Sequence, residues 1–203
     1  MSGFAQALPV TLAFEGGFSD NPADRGGATM RGVTQATYDA YRQKHGLPEQ
    51  SVEHMADDEM QAIYHTGYWL AGKCDALPWP VSLLHFDACV NHGPANAARI
   101  LQRAAGAEPD GILGPKSLAA VDAMPPMVLA DAMLWERLRF YARIIARDES
   151  QGVFAPSWIF RTAALREHLP DDVMDALVGR QASRPAFCEG FRVTRPAGTR
   201  DDP

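Results

Sequence analysis

Excess basic charge, closely spaced cysteines and long apolar runs are all scarce in this chain. Its 203 residues carry a formal net charge of −6, which supports neither a nucleic-acid groove nor adhesion to an anionic membrane, since both call for a basic face. Three cysteines, Cys74, Cys89 and Cys188, cannot all pair within one chain, and none is spaced C-x-x-C. They read as reduced, partly buried thiols of a protein that folds in the cytoplasm. No H-E-x-x-H pair occurs, and His54, His65, His85 and His92 read as surface or satisfied helix histidines, so no metal and no cofactor is expected. Cys89 and His92 lie three residues apart on one helix without an orienting partner, which argues against a cysteine peptidase. Met1 to Val10 has no basic stretch followed by an apolar core, so no secretory signal is expected. No segment approaches the roughly 20 apolar residues of a spanning helix, so stable membrane insertion is not expected either.

What is present is ordinary globular material: hydrophobic residues are 46% and charged residues 22% of the chain, which excludes a mainly disordered protein. The pattern is mainly α. A helix over Ala5 to Phe14 carries Leu8 and Leu12, and Glu15 continues that face; Pro9 fits only as a first-turn residue or a bend. Gly16-Gly17 is expected to close this helix in a left-handed turn. A turn-rich stretch from Phe18 to Gly32 follows, with a short hairpin whose return strand is Thr29 to Val33. Thr34 reads as the N-cap of a helix ending near His45 and Gly46. Further helices are expected from Asp57 towards Trp69, from Leu83 to Asn91, over Ala95 to Ala105, after Pro115, over 127–147 with Leu134, Leu138, Tyr141 and Ile145 on one face, over 156–169 and over 171–178. Three regions result: a catalytic region over 1–105, a helical region over 106–179, and a loosely held tail over 180–203.

Glu15 is the residue whose surroundings suit chemistry best. It follows an apolar helical face, precedes two glycines that permit close approach of a substrate, and is flanked by Phe14 and Phe18. A carboxylate at a helix C-terminus meets the unfavourable end of the helix dipole, so stability alone does not explain it there. A general acid needs a carboxyl desolvated by apolar neighbours. The second group of such a site would come from the loop, where Asp24 and Thr29 can fold back across the cleft; Asp20 and Asp24 also have plain turn roles.

The ordered string Glu15-Gly16-Gly17-Phe18, Asp20-Asn21-Pro22-Ala23-Asp24, Gly26-Gly27-Ala28-Thr29 and Gly32-Val33-Thr34 closely resembles the start of glycoside hydrolase family 108. The similarity continues through Tyr68-Trp69, Cys74, Leu77-Pro78, Phe86-Asp87, Val90-Asn91, Gly93 and Leu101-Gln102. It then reaches Asp110-Gly111-Ile112-Leu113-Gly114-Pro115, which resembles the family's peptidoglycan-binding region. The resemblance spans residues 4 to about 168. It implies a lysozyme-like helical fold with a small β-hairpin or loop after the first helix. It also implies N-acetylmuramidase activity on the β-1,4 bond between N-acetylmuramic acid and N-acetylglucosamine, with Glu15 as general acid. The Glu-loop-Asp-Thr order resembles the triad of phage-type lysozymes, with Thr29 matching by order and not by spacing; the partner stays open between Asp24, Thr29 and Thr34. Phe18 stands where the family commonly has Tyr.

Phe18, Thr34, Tyr68 and Asn91 are the candidate substrate contacts. Asp87 and Asn91 share a helix face, either as a polar wall or brace for the Glu15 loop or as a buried pair capping backbone groups. Tyr64, Tyr68 and Trp69 read mainly as core, although Tyr68 or Trp69 can stack on a sugar if it lines the groove. The Asp110 to Pro115 loop reads either as a glycan contact or as a loop-to-helix connector. The expected partner is the peptidoglycan glycan strand, met by a monomer made in the cytoplasm and delivered to the periplasm or wall by a holin or an export system, for lysis or for release of protein or particles. The competing reading is a non-catalytic peptidoglycan-binding or secretion-accessory protein.

Overall fold

The computed structural model describes residues 3–20 and 27–169. Asp24, Cys188, the helix expected over 171–178 and the tail over 180–203 lie outside the described residues. Among the described residues, eight α-helices and one small sheet follow in chain order: α1 (Gly3–Leu12), β1 (Phe18–Ser19), β2 (Thr29–Met30), β3 (Val33–Thr34), α2 (Gln35–Lys44), α3 (Asp57–Tyr64), α4 (Val81–His92), α5 (Pro94–Ala104), α6 (Pro115–Asp122), α7 (Pro126–Arg147) and α8 (Ala155–Glu167). The mainly α class with a small β segment after the first helix is therefore what the chain adopts.

α4 organises the interior. Every residue from Val81 to Cys89 is buried, the signature of a helix enclosed on all sides. Leu83 and Phe86 join a core with Ala7, Leu8, Tyr38, Ile63, Tyr64 and Trp69. Val81 and Leu84, on the other side, join a second core with Leu101, Val121, Leu129, Met133 and Leu165. Any polar group on α4 thus sits between two apolar clusters and must find its partner there.

Local signals set most boundaries. Thr34 caps α2, its hydroxyl accepting from the Thr37 amide at 3.2 Å, and Gly46 takes a positive φ of 66° just past the end. Pro94, Pro115 and Pro126 each occupy a first-turn position, where the missing N–H costs nothing. Asp57 to Tyr64 continues into a π-helical stretch, His65–Leu70.

Three local expectations are corrected. Pro9 lies inside α1 and not in its first turn, which removes the first of its two expected roles. The helix closes before Gly16-Gly17: the amides of Phe14 and Glu15 bond back to Thr11 and Leu12 at 3.1 Å in tight turns, and neither glycine has a positive φ. The return strand is not continuous from Thr29 to Val33, because the chain reverses inside it. Met30 pairs with both Phe18 and Val33, and Arg31 (φ 46°) and Gly32 (φ 76°) form the loop between β2 and β3. Positive φ at both residues is what a two-residue hairpin of this hand requires.

Thr34→Ala removes the α2 cap and is expected to lower unfolding stability by about 1 kcal/mol in a denaturant titration, with Thr34→Ser retaining most of it. Equal stability of the alanine variant would show that the cap carries no weight.

Candidate active site

Glu15 sits in the turn after α1, with its side chain 16% exposed. Its nearest polar partner comes from the far end of the chain. Arg161 of α8 donates from Nη1 to Glu15 Oε1 at 2.9 Å, while the Phe14 ring lies against the guanidinium, 4.9 Å from its centroid to Cζ. Phe14, expected as an apolar neighbour of the Glu15 carboxyl, packs instead on the cation that holds it.

Arg161 is held in turn by Asp87 of α4. Its Nη2 donates to Asp87 Oδ1 at 2.7 Å, and its Nε reaches both carboxylate oxygens at 3.1 Å. Asp87 Oδ2 accepts from Arg137 Nη1 of α7, and Arg137 Nε donates to the Tyr141 hydroxyl at 2.6 Å. Asp87 therefore braces the Glu15 site through a second residue and takes two guanidiniums, not backbone amides. Burial pushes the Asp87 carboxyl up, but Arg137 and Arg161 more than offset this and hold it below its ordinary value. His92 stands beside the same cluster. Burial first, then the Arg137 charge, push its pKa down to about 3, so at neutral pH its imidazole is uncharged.

On its other side, Glu15 meets the Arg31–Gly32 loop. A Cβ on Gly32 would lie 2.8 Å from Glu15 Oε2 and 2.7 Å from the Tyr64 hydroxyl, so only glycine fits between them. Tyr64 donates to the Arg31 carbonyl at 2.7 Å, fixing the hairpin loop against the site. Burial first, then the charge of Glu15, raise the Tyr64 and Tyr68 phenols above their ordinary value. Tyr68 lies on the π-helical stretch, a wide turn frequent at functional sites, and its ring is 5.4 Å from that of Tyr64.

The remaining candidates are placed as follows. Phe18 is 42% exposed on β1. Thr29 Oγ1 donates to the Gly27 carbonyl at 3.2 Å, and the Thr34 hydroxyl is engaged by Thr37. Asn91 Oδ1 is buried and has no hydrogen-bond partner among the described residues. Trp69 is core, its indole N–H given to Asp75 at 2.8 Å. In the 110–115 loop the polar groups satisfy one another: Gln102 donates to Asp110 at 2.6 Å and to Ser117 at 2.9 Å, and accepts from the Gly111 amide at 2.9 Å.

Arg161 and Arg137 are absent from the residues expected at the site, and Gly32 and Tyr64 carry no expected site role, Tyr64 being read as core. A signal for the two arginines existed. Arg161 precedes Leu165 by one helical turn, and Arg137 lies between Leu134 and Tyr141 at helical spacing. A basic residue inside an apolar stripe marks a buried charge that needs a partner. The face expected to carry Leu138 and Ile145 is displaced accordingly: the buried residues of α7 include Met133, Leu134, Arg137 and Tyr141.

A family model described as Glycosyl hydrolase 108 matches residues 8–93, and one described as Predicted Peptidoglycan domain matches residues 96–163. Among solved structures the chain is similar to SagA of Brucella abortus at 31% identity, with a TM-score of 0.67, over 81% of this chain and 91% of that chain. No curated protein matches. Glu15 and Asp87 fall in the first matched region, Arg137 and Arg161 in the second.

Two outcomes are expected. Gly32→Ala adds backbone strain and a clash, lowering stability by about 1–3 kcal/mol as read by thermal unfolding. Asp87→Asn leaves two buried guanidiniums without their carboxylate and costs about 3–5 kcal/mol at neutral pH. Because the folded-state pKa of Asp87 is depressed, its contribution is present above the ordinary value of about 4 and lost as pH falls through the lower folded value. The gap between wild type and Asp87→Asn should therefore narrow in acid; a gap independent of pH would contradict the charged role of Asp87.

Proposed function

Since the chain belongs to glycosyl hydrolase family 108 and is a peptidoglycan-directed glycoside hydrolase with a mainly α, lysozyme-like fold, we propose that it is an N-acetylmuramidase with Glu15 as general acid. The bond cut is the β-1,4 link from N-acetylmuramic acid to N-acetylglucosamine. Glu15 supplies the proton to the leaving oxygen, without which the sugar alkoxide is a poor leaving group. The observation that carries this reading is the placement of Glu15, whose carboxyl is gripped at Oε1 by Arg161 while Oε2 faces the Gly32 loop. Fixing one oxygen orients the other, which is what proton transfer over a short distance requires.

For the second group, Thr29 or Asp24 positions the attacking water; Thr34 is the weaker choice because its hydroxyl already caps α2. Phe18 offers an exposed apolar face to a pyranose ring. Tyr68 and Asn91 serve as polar contacts, Asn91 because its buried Oδ1 is an acceptor in need of a donor. The protein acts as a monomer on wall reached from the cytoplasm through a holin or an export system, for lysis or for release of protein or particles.

Purified peptidoglycan incubated with wild type should yield new reducing ends, and Glu15→Gln should reduce that rate by about 10²–10⁴-fold, the usual worth of a positioned acid. Equal release by both forms removes Glu15 from the role. The pH–rate profile of wild type should show no inflection near neutrality assignable to His92, whose pKa is pushed down to about 3.

A further inference from the structure

Three buried side chains take no part in the hydrolytic site. Cys74, His85 and Cys89 are each fully buried, and one ligand atom from each lies within 4.8 Å of the others. His85 and Cys89 are one turn apart on α4 and share a face; Cys74 opens the short 3₁₀ turn Cys74–Ala76. The ring of His85 is oriented for a ligand. Its Nε2 is 3.0 Å from the Gly72 carbonyl, which can only accept, so the proton is on Nε2 and the lone pair on Nδ1. Nδ1 is buried and bonds to no nitrogen or oxygen among the described residues, while the Cys89 thiol lies within hydrogen-bonding reach of the ring. Metal-bound histidines are commonly held in this way, with the distal N–H given to a backbone carbonyl. Gly72 completes the arrangement: a Cβ there would lie 2.6 Å from Cys89 Sγ and 3.2 Å from Cys74 Sγ, so a side chain would fill the space between the sulfurs.

We propose that Cys74, His85 and Cys89 form a binding site for a thiophilic divalent ion of the Zn²⁺ type. Binding replaces the two thiol protons, which leave to solvent, by two sulfur–metal bonds, and the Nδ1 lone pair makes the third; nothing is oxidised or reduced. Two thiolates, a neutral imidazole and a divalent ion sum to zero charge, which suits a site removed from water. Cys74 also borders a cleft of about 280 Å³ with Trp69, Asp75 and Trp79, so the site lies one residue in from the surface. The site ties the Cys74 turn to α4 on both sides of Asp87, the residue that holds Arg161. The spacing of these three residues matches no common zinc motif, so the sequence alone carries no sign of a metal.

The test uses the full chain, purified with reductant, stripped by a chelator and titrated with Co²⁺ under reductant. The expected result is one Co²⁺ per chain with a sulfur-to-cobalt charge-transfer band, displaced by Zn²⁺, and an affinity about 100-fold weaker in Cys89→Ala and Cys74→Ala. Wild type alone gives a second reading that needs no variant to fold: in weakly buffered solution each bound Zn²⁺ should release about two protons, the thiol protons that the metal replaces. Absence of the charge-transfer band, a band unchanged in folded variants, or Zn²⁺ uptake without proton release overturns the site.

Discussion

Arg161 joins two carboxylates, and much of the site depends on that one guanidinium. Asp87 is wholly withdrawn from water on the most enclosed helix of the fold. An isolated ion there would be costly, and two arginines from two later helices make it tolerable. The requirement runs both ways. Arg161 can stay buried only while Asp87 faces it, and Glu15 receives its hydrogen bond only from an Arg161 so held. Three helices and the turn after α1 are thereby set relative to one another by polar geometry, where apolar packing alone would tolerate small slips.

The chain's two matched regions accordingly share one site. Glu15 belongs to the region matched by the hydrolase model, and the guanidinium that grips it belongs to the region matched by the peptidoglycan model. Separation in sequence does not here mean separation in chemistry. The Gly32 loop bounds the other side of Glu15, and its conformation is secured by Tyr64, a residue of the first core. The carboxyl thus lies between a charged clamp and a rigid backbone turn, each supported by a different core.

Much of the fold was legible because it rests on local chemistry. The Thr34 cap, Pro115 in the first turn of α6 and the helical course of α4 follow from residue type and spacing within a few positions. Glu15 was legible for a related reason, since a carboxylate after an apolar helix and before two glycines is poorly explained by stability. The partner of Glu15 was not: Arg161 stands 146 positions away, and no helical period links the two. The hairpin reversal at Arg31 was hidden because a non-glycine with positive φ runs against local preference. Gly16-Gly17 misled in the opposite direction, having the composition of a helix stop without serving as one.

The central claim, that Asp87 acts on hydrolysis through Arg161, is tested most directly by a double-mutant cycle on the rate of reducing-end release. Wild type, Asp87→Asn, Arg161→Met and the double variant would be compared below their unfolding temperatures, with the folded fraction verified for each. If Asp87 works through Arg161, the double variant should be no slower than Arg161→Met alone, because the two losses are one loss counted twice. Losses that multiply would contradict the relay and make Asp87 and Arg161 independent contributors.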